Sequence, residues 1–180
     1  MAGPAIRSVE LARALARENE VRVITPYPTH SSGEGFEIRV YETARELRVA
    51  MADCDVLLVF GSLLRRFPFV GRSDKVIIAD LYDPAMLEAL VMHEGDPMAR
   101  QMQIHNDALA TLQAQLTRAD LFLCASERQR YLLLGMLASL GRINPATYAA
   151  DPNLSDLVRV VPFGLPPAVP SGSGAGALRA

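Results

Sequence analysis

The chain is poor in the residues that build disulfide frameworks and metal sites. Its 180 residues include two cysteines, Cys54 and Cys124, which lack the number and spacing of a disulfide framework or a zinc site. The three histidines, His30, His93 and His105, have no fixed partner in the sequence. We therefore expect a reduced, cytoplasmic setting, with no metal ion and no other cofactor.

Long hydrophobic runs and dense charge are missing too. No uninterrupted apolar stretch approaches the ~20 residues that cross a bilayer. The chain has 18 basic and 20 acidic residues without a Lys/Arg block, and Lys75 is its only lysine, a bias typical of a GC-rich genome. These features predict a soluble protein with no transmembrane segment and with no nucleic acid as partner.

Several enzyme signatures are also absent. The sequence has no Gly-x-Gly-x-x-Gly fingerprint and no phosphate-loop Gly-Lys-Ser/Thr, so dinucleotide oxidoreductases and nucleotide triphosphatases lose their main support. It has no nucleophile elbow, which disfavours a serine hydrolase.

What the chain does have is a regular alternation of short apolar runs with longer helical segments. Strands are predicted over 21–25, 36–41, 55–60, 75–80, 120–124 and 158–161. Three of these runs are apolar nearly throughout, as expected of strands covered on both faces. The alternation predicts right-handed crossovers and an α/β fold: a doubly wound, mostly parallel Rossmann-like sheet with helices on both faces.

Helix boundaries are marked by capping signals. Thr43 with Glu46, and Ser126 with Gln129, have the spacing of a capping box, and Gly141 is typical of a left-handed helix end. Asp83 and Asp96 each precede a proline, which predicts two further N-caps. The longest helical segment carries an apolar stripe predicted to pack on the sheet, formed by Met98, Met102, Leu109, Leu112 and Leu116.

Three segments, taken in order, carry a family resemblance. They are residues 3–16 with 20–26, which open the domain, residues 120–130, which contain a Ser-Glu strand-to-helix corner, and residues 160–165, with a Pro-x-Gly turn. Together they resemble the N-terminal domain of a GT-B-fold, family-four retaining glycosyltransferase. The resemblance spans roughly residues 3–166, so we expect one domain over 1–166 and a flexible linker or tail over 167–180.

The resemblance implies a parent enzyme of two Rossmann-like domains that moves a sugar from a nucleotide-sugar donor to an acceptor hydroxyl. This chain would be the acceptor-side half. The donor would bind mainly to the other half, so the isolated chain should be inactive. Because a doubly wound sheet normally starts with a strand, we also expect the first strand to be missing, which would leave unpaired edges open to self-association.

Ligands of open α/β sheets bind beyond the carboxyl ends of the strands. Asp80, Tyr82 and Asp83 follow one such strand, and could hold acceptor hydroxyls or polarise the attacking one. Asp80 is the candidate catalytic residue, with loop-holding backbone hydrogen bonds as the alternative. For Asp83 we favour helix capping over substrate contact.

Four further residues are candidate contacts for donor or acceptor. Gly3, at a helix N-terminus, could approach a phosphate, with a plain turn as the alternative. Ser62 follows a strand, Ser126 is explained first as a cap, and Arg128 is either a ligand contact or solvated. The Arg65-Arg66 pair could meet an anionic acceptor or lie in solvent.

Two other functional classes stay open. A non-enzymatic α/β module that holds a sugar or nucleotide without turnover would fit the same sheet. A domain that associates with a separate partner subunit would explain exposed sheet edges.

Overall fold

The computed structural model describes residues 3–28 and 35–164, and predictions for His30 and for the 167–180 tail lie outside these ranges. Along the chain the elements are α1 (Gly3–Leu15), β1 (Arg22–Thr25), β2 (Glu37–Val40), α2 (Ala44–Ala50), β3 (Val56–Val59), α3 (Leu63–Arg66), β4 (Val76–Asp80), α4 (Ala85–Met92), α5 (Met98–Arg118), β5 (Leu121–Cys124), α6 (Glu127–Ser139), α7 (Pro145–Ala150) and β6 (Val158–Val160). A short 3-10 helix, Val70–Arg72, precedes β4. All six predicted strands are present.

The strands form two hydrogen-bonded sheets. One has the order β1-β2 and the other the order β3-β4-β5-β6. Every pair is parallel, with Leu57 opposite Ile77 and Ala79 opposite Phe122 in the larger sheet. Helices lie between successive strands of the larger sheet and pack around it, as right-handed crossovers require. The predicted α/β, mostly parallel, Rossmann-like fold is confirmed.

The break between the sheets falls at a defined place in the topology. In the doubly wound order 3-2-1-4-5-6, one central strand lies between the strands that correspond to β1 and β3. Among the described residues β1 pairs only with β2, and β3 only with β4. Arg22 of β1 donates to the Ala50 carbonyl at 2.9 Å and to Asp53 at 2.6 Å, so β1 starts beside the segment that leads into β3. Within residues 3–28 and 35–164, β1 and β3 are therefore edge strands.

The buried core is centred on the larger sheet. Its strands contribute Val59, Ile77, Ala79, Phe122, Cys124 and Val158, and the surrounding helices contribute Leu47, Leu64, Leu116, Leu133 and Leu137. No residue within β1 or β2 is buried. Apolar contact with helices thus stabilises one sheet far more than the other.

Most of the predicted helix signals are confirmed. The Glu46 amide donates to the Thr43 hydroxyl and the Glu46 carboxylate accepts from the Thr43 amide, which completes a capping box. Ser126 caps α6, but the Gln129 side chain accepts from the Ala125 amide at 2.7 Å instead of the Ser126 amide. Gly141 has φ of 70° just beyond α6, in the left-handed region that favours glycine.

The two caps predicted before proline are wrong. Helices α4 and α5 begin after Pro84 and Pro97, each proline occupying the N-cap position, and neither helix has a side-chain cap. Asp83 and Asp96 consequently lie one residue too early to reach the first free amides. The Asp96 carboxylate instead contacts His93 at 2.9 Å and Arg100 at 3.2 Å.

The apolar stripe of α5 packs on the sheet only in its second half. Leu116 is buried, whereas Met98 and Met102 are 68% and 51% exposed, so their prediction as core is wrong. The reason is that α5 is longer than the strands on which it packs. The 21 residues of α5 span roughly 30 Å, against roughly 17 Å for the five residues of β4. The first half of α5 therefore extends beyond the sheet and packs against α4.

Candidate functional site

A cavity of about 500 Å³ lies at the carboxyl ends of β3 and β4, bounded by α3, α4, α5 and α6. This is the edge at which open α/β sheets bind ligands, and the volume suits a small organic molecule. Its polar lining residues are Ser62, Arg65, Asp80, Asp83, Asp107, Thr111, Gln115 and Gln129. The rest of the wall is mostly apolar.

Two glutamines fix the backbone at the polar end of the cavity. Gln115, nearly fully buried on α5, donates to the Gly61 carbonyl at 3.1 Å. Gly61 follows β3 with φ of 54°, a left-handed conformation that turns the chain and brings Ser62 to the cavity. Gln129 donates to the Tyr82 carbonyl at 2.8 Å and so ties the end of β4 to the start of α6. Both amides are occupied in holding the loops in place.

Asp80 makes a buried ion pair with Arg7 of α1. Arg7 Nε lies 2.6 Å from Asp80 Oδ2 and Nη2 lies 3.0 Å from Oδ1, which is bidentate geometry. Nη2 also donates to the Val161 carbonyl at 2.9 Å. Each residue is only 3% exposed. Charge-assisted bidentate bonds of this kind position side chains strongly, so Arg7 holds the ends of β4 and β6 together.

Two aromatic rings complete the environment of Arg7. Its guanidinium lies 5.1 Å from the centre of the Tyr82 ring and 5.0 Å from that of Phe163, and the two rings meet edge to face at 5.3 Å. Such contacts are cation–π interactions. Burial raises the pKa of the Asp80 carboxyl, while the hydrogen bonds and charge of Arg7 act in the opposite direction. The Asp80 side chain is fully buried in this pair, which leaves it poorly placed to take a proton from a substrate.

The Tyr82 phenol and the neighbouring Asp83 carboxylate interact through a hydrogen bond. Burial raises the pKa of Tyr82 to about 12, and the charge of Asp83 and a hydrogen bond to it act in the same direction. At neutral pH Tyr82 is therefore a hydrogen-bond donor, and Asp83, half-buried at the cavity, is an acceptor. Asp83 is the more accessible of the two acidic side chains at the end of β4, since the Asp80 side chain is fully buried.

The structure brings some of the predicted site residues together and separates others. Ser62, Asp80 and Asp83 line one cavity, whereas the Tyr82 ring turns to Arg7. The other three predicted residues do not line the cavity: Gly3 begins α1 and is exposed, Ser126 caps α6, and Arg128 is exposed in the first turn of α6. Their predicted roles stay predictions.

The two adjacent arginines have partners within the chain. Arg65 donates to the Asp107 carboxylate at 2.6 Å and to its backbone carbonyl at 3.0 Å, which ties α3 to α5 at the rim of the cavity. Arg66 lies over the Phe67 ring, 5.3 Å from its centre. Since the Arg65 pair is exposed, it contributes little to stability.

Sequence reasoning missed Arg7, Gln115 and Gln129 as parts of this site. The sequence carried a signal for the glutamines only: Gln115 interrupts an apolar face, and Gln129 stands at the capping-box position.

Within residues 3–28 and 35–164, no group of three or more His, Cys, Asp or Glu side chains is placed to hold a metal ion. None of the helices in the same ranges is both long and apolar enough to span a membrane. Comparison with protein-family models, with curated proteins and with solved structures finds no match.

Proposed function

We propose that this chain is the acceptor-binding half of a glycosyltransferase that moves a sugar from a nucleotide-sugar donor to an acceptor hydroxyl. One observation carries the proposal: Ser62, Asp80 and Asp83, from the ends of two neighbouring parallel strands, converge on a single cavity of about 500 Å³. Hydroxyl and carboxylate groups are suited to binding a hydroxylated acceptor. The resemblance of residues 3–166 to family-four enzymes supports the same assignment.

In such a transfer the acceptor oxygen bonds to the anomeric carbon, the bond from that carbon to the phosphate oxygen of the nucleotide breaks, and the acceptor proton passes to the departing phosphate. The accessible Asp83 carboxylate is suited to hold and orient the acceptor hydroxyl. Asp80, held bidentately by Arg7, acts as a positioning residue that fixes the end of β4. This assigns the two acidic residues different roles.

The nucleotide-sugar donor would bind mainly to the second half of the parent enzyme. We therefore expect the 180-residue chain to bind nucleotide sugars weakly and to release no product. The reaction itself would need neither a metal ion nor another cofactor from this half. Nucleic acid is not an expected partner.

The test is a binding titration of the chain with methyl glycosides and with nucleotide sugars, combined with an assay for released nucleotide. We expect glycoside binding that weakens about tenfold in Asp83→Asn, a loss of about 1.4 kcal/mol. Asp55→Asn, an exposed carboxylate outside the cavity, is the matched control. Turnover by the chain alone would contradict the proposal, and so would glycoside binding that is unchanged in Asp83→Asn.

A specific observation favours a second candidate, a non-enzymatic module that binds a sugar or a nucleotide. The predicted catalytic carboxylate, Asp80, is buried in its ion pair with Arg7. A binding module needs no base. It predicts that the chain alone binds one monosaccharide or mononucleotide tightly, so titration with a panel of both separates the two candidates.

A further inference from the structure

We propose that the cavity takes an amphipathic acceptor without an anionic group, with a hydroxylated head at the strand ends and an apolar body between α4, α5 and α6. The inference rests on the proposed function and adds the chemical class of the acceptor.

Much of the cavity wall is apolar. Met86 and Ala89 of α4, Ala108 and Leu112 of α5, and Leu133 and Met136 of α6 line the cavity. Each methylene moved from water onto such a wall gains about 0.8 kcal/mol. A free sugar would leave this wall without a partner, whereas an alkyl or aryl group attached to the sugar would cover it.

The wall is also adaptable. Methionine side chains are flexible and fill irregular space, and two of them face the cavity from different helices. Helix α4 has no buried residue and packs mainly on α5. Its position can therefore adjust to apolar bodies of different shape without disturbing the core of the sheet.

Two polar side chains come from the strand ends, which gives the ligand a direction. Ser62 and Asp83 come from the loops that follow β3 and β4, whereas most of the apolar residues come from the helices. The nearby Gln115 and Gln129 amides are bonded to backbone carbonyls and hold these loops in place. A bound head group therefore meets the hydroxyl of Ser62 and the carboxylate of Asp83.

The charges of the lining argue against an anionic ligand. Arg65 is paired with Asp107 at 2.6 Å, and Asp80 with Arg7. Asp83 is hydrogen-bonded to the neutral Tyr82 phenol, so its negative charge is the one left uncompensated at the head end. An anion placed beside it would meet like-charge repulsion. The acceptor is accordingly a hydroxyl compound that carries no phosphate or sulfate ester.

The experiment compares three probes with the 180-residue chain below their micellar concentrations: methyl glucoside, octyl glucoside and octyl sulfate. We expect octyl glucoside to bind at least tenfold more tightly than methyl glucoside, and octyl sulfate to bind at least tenfold more weakly than octyl glucoside. Equal binding of the two glucosides would overturn the apolar part of the inference and leave the acceptor-half proposal standing. Preferred binding of octyl sulfate would overturn the exclusion of anionic head groups.

Matched variants locate the binding. Ala108→Leu fills the cavity and should weaken octyl glucoside binding about tenfold, whereas Ala99→Leu, an exposed change on the same helix, should not. If Ala108→Leu unfolds, Asp83→Asn gives an independent measurement, since it should narrow the preference for octyl glucoside over octyl sulfate. Unchanged binding in a folded Ala108→Leu, or an unchanged preference in Asp83→Asn, would contradict the proposed pose. Octyl glucoside binding with no sugar transfer by the complete enzyme would instead overturn the proposed function alone.

Discussion

The two sheets differ both in the composition of their strands and in how they are stabilised. In the larger sheet β4 and β5 bury residues such as Ile77 and Phe122 against helices. In the smaller sheet Val23, Ile24 and Ile38 are only half-buried. The comparison shows that composition and burial go together: nearly wholly apolar strands lie in the sheet covered by helices, and strands with charged residues lie in the less buried sheet.

Charged side chains take a larger part in the smaller sheet. Arg22 of β1 contacts Glu37 of β2 at 2.7 Å and Asp53 at 2.6 Å. Arg39 also contacts Glu37, at 2.6 Å. Exposed ion pairs of this kind contribute little, and a two-stranded sheet is marginal by itself. The larger sheet should therefore carry most of the free energy of unfolding.

The largest expected effect is at the ion pair that ties α1 to the larger sheet. Arg7→Leu leaves the Asp80 carboxylate buried without its partner, which typically costs about 3–5 kcal/mol. Arg22→Leu in the smaller sheet should cost about 1 kcal/mol or less. Urea denaturation of both variants checks the difference, and equal losses would contradict it. The double variant Arg7→Leu, Asp80→Leu should recover most of the lost stability.

The stability of Arg7→Leu should also depend on pH. Without Arg7, burial holds the pKa of Asp80 in the folded chain above its value in the unfolded chain. The folded state then binds the proton more tightly, so the stability of Arg7→Leu falls as pH rises from the unfolded pKa through the folded one. Urea midpoints at about pH 4 and about pH 7 should therefore show the larger loss relative to the unmodified chain at the higher pH. A constant difference would contradict this account.

A matched pair of isoleucines compares the two sheets directly. Ile77→Ala in β4 removes a buried side chain and should cost about 2–5 kcal/mol, because a cavity is left behind. Ile38→Ala in β2, where the side chain is half-buried, should cost about half as much or less. Thermal and urea unfolding measure both changes. A greater loss at Ile38 would reverse the ranking of the sheets.

The helix that joins the two sheets gives a smaller effect. Thr43→Ala removes the cap of α2, which connects β2 to β3, and should cost about 1 kcal/mol. Thr117→Ala, an exposed threonine near the end of α5, is the control and should cost less. Urea midpoints distinguish them, and a loss at Thr43 no larger than at Thr117 would show that the capping box adds nothing.

The smallest effect concerns reactivity alone. Cys124, buried at the end of β5, has its thiol pKa raised by burial, whereas Cys54, just before β3, is half-buried. Since the thiolate is the nucleophile, iodoacetamide should modify Cys54 first in the folded chain. In urea the two rates should become similar. Faster modification of Cys124 in the folded chain would mean that the centre of the larger sheet is open.

Much of the fold could be predicted from the sequence because its signals are local. The six strands follow from apolar runs, and the caps at Thr43 and Ser126 follow from spacing along the chain. The caps at Asp83 and Asp96 failed because proline shifted the helix start by one residue. The exposure of Met98 and Met102 could not be predicted, since it depends on the length of α5 relative to the sheet.

The site was predictable only in part. Ser62, Asp80 and Asp83 were found because topology places the carboxyl ends of parallel strands at one edge. Arg7 was missed because its partner lies 73 residues away and nothing near it in the chain indicates a buried ion pair. Long-range pairing of this kind is decided by packing in three dimensions.

We propose that the cavity at the carboxyl ends of β3 and β4 is the acceptor site. The most direct test is backbone amide NMR of the chain during titration with octyl glucoside. We predict shifts at Asp83, Ala108 and Met136, with Val23 and Arg39 of the smaller sheet unchanged. Shifts confined to the smaller sheet, or none at the three cavity residues under saturating ligand, would contradict it.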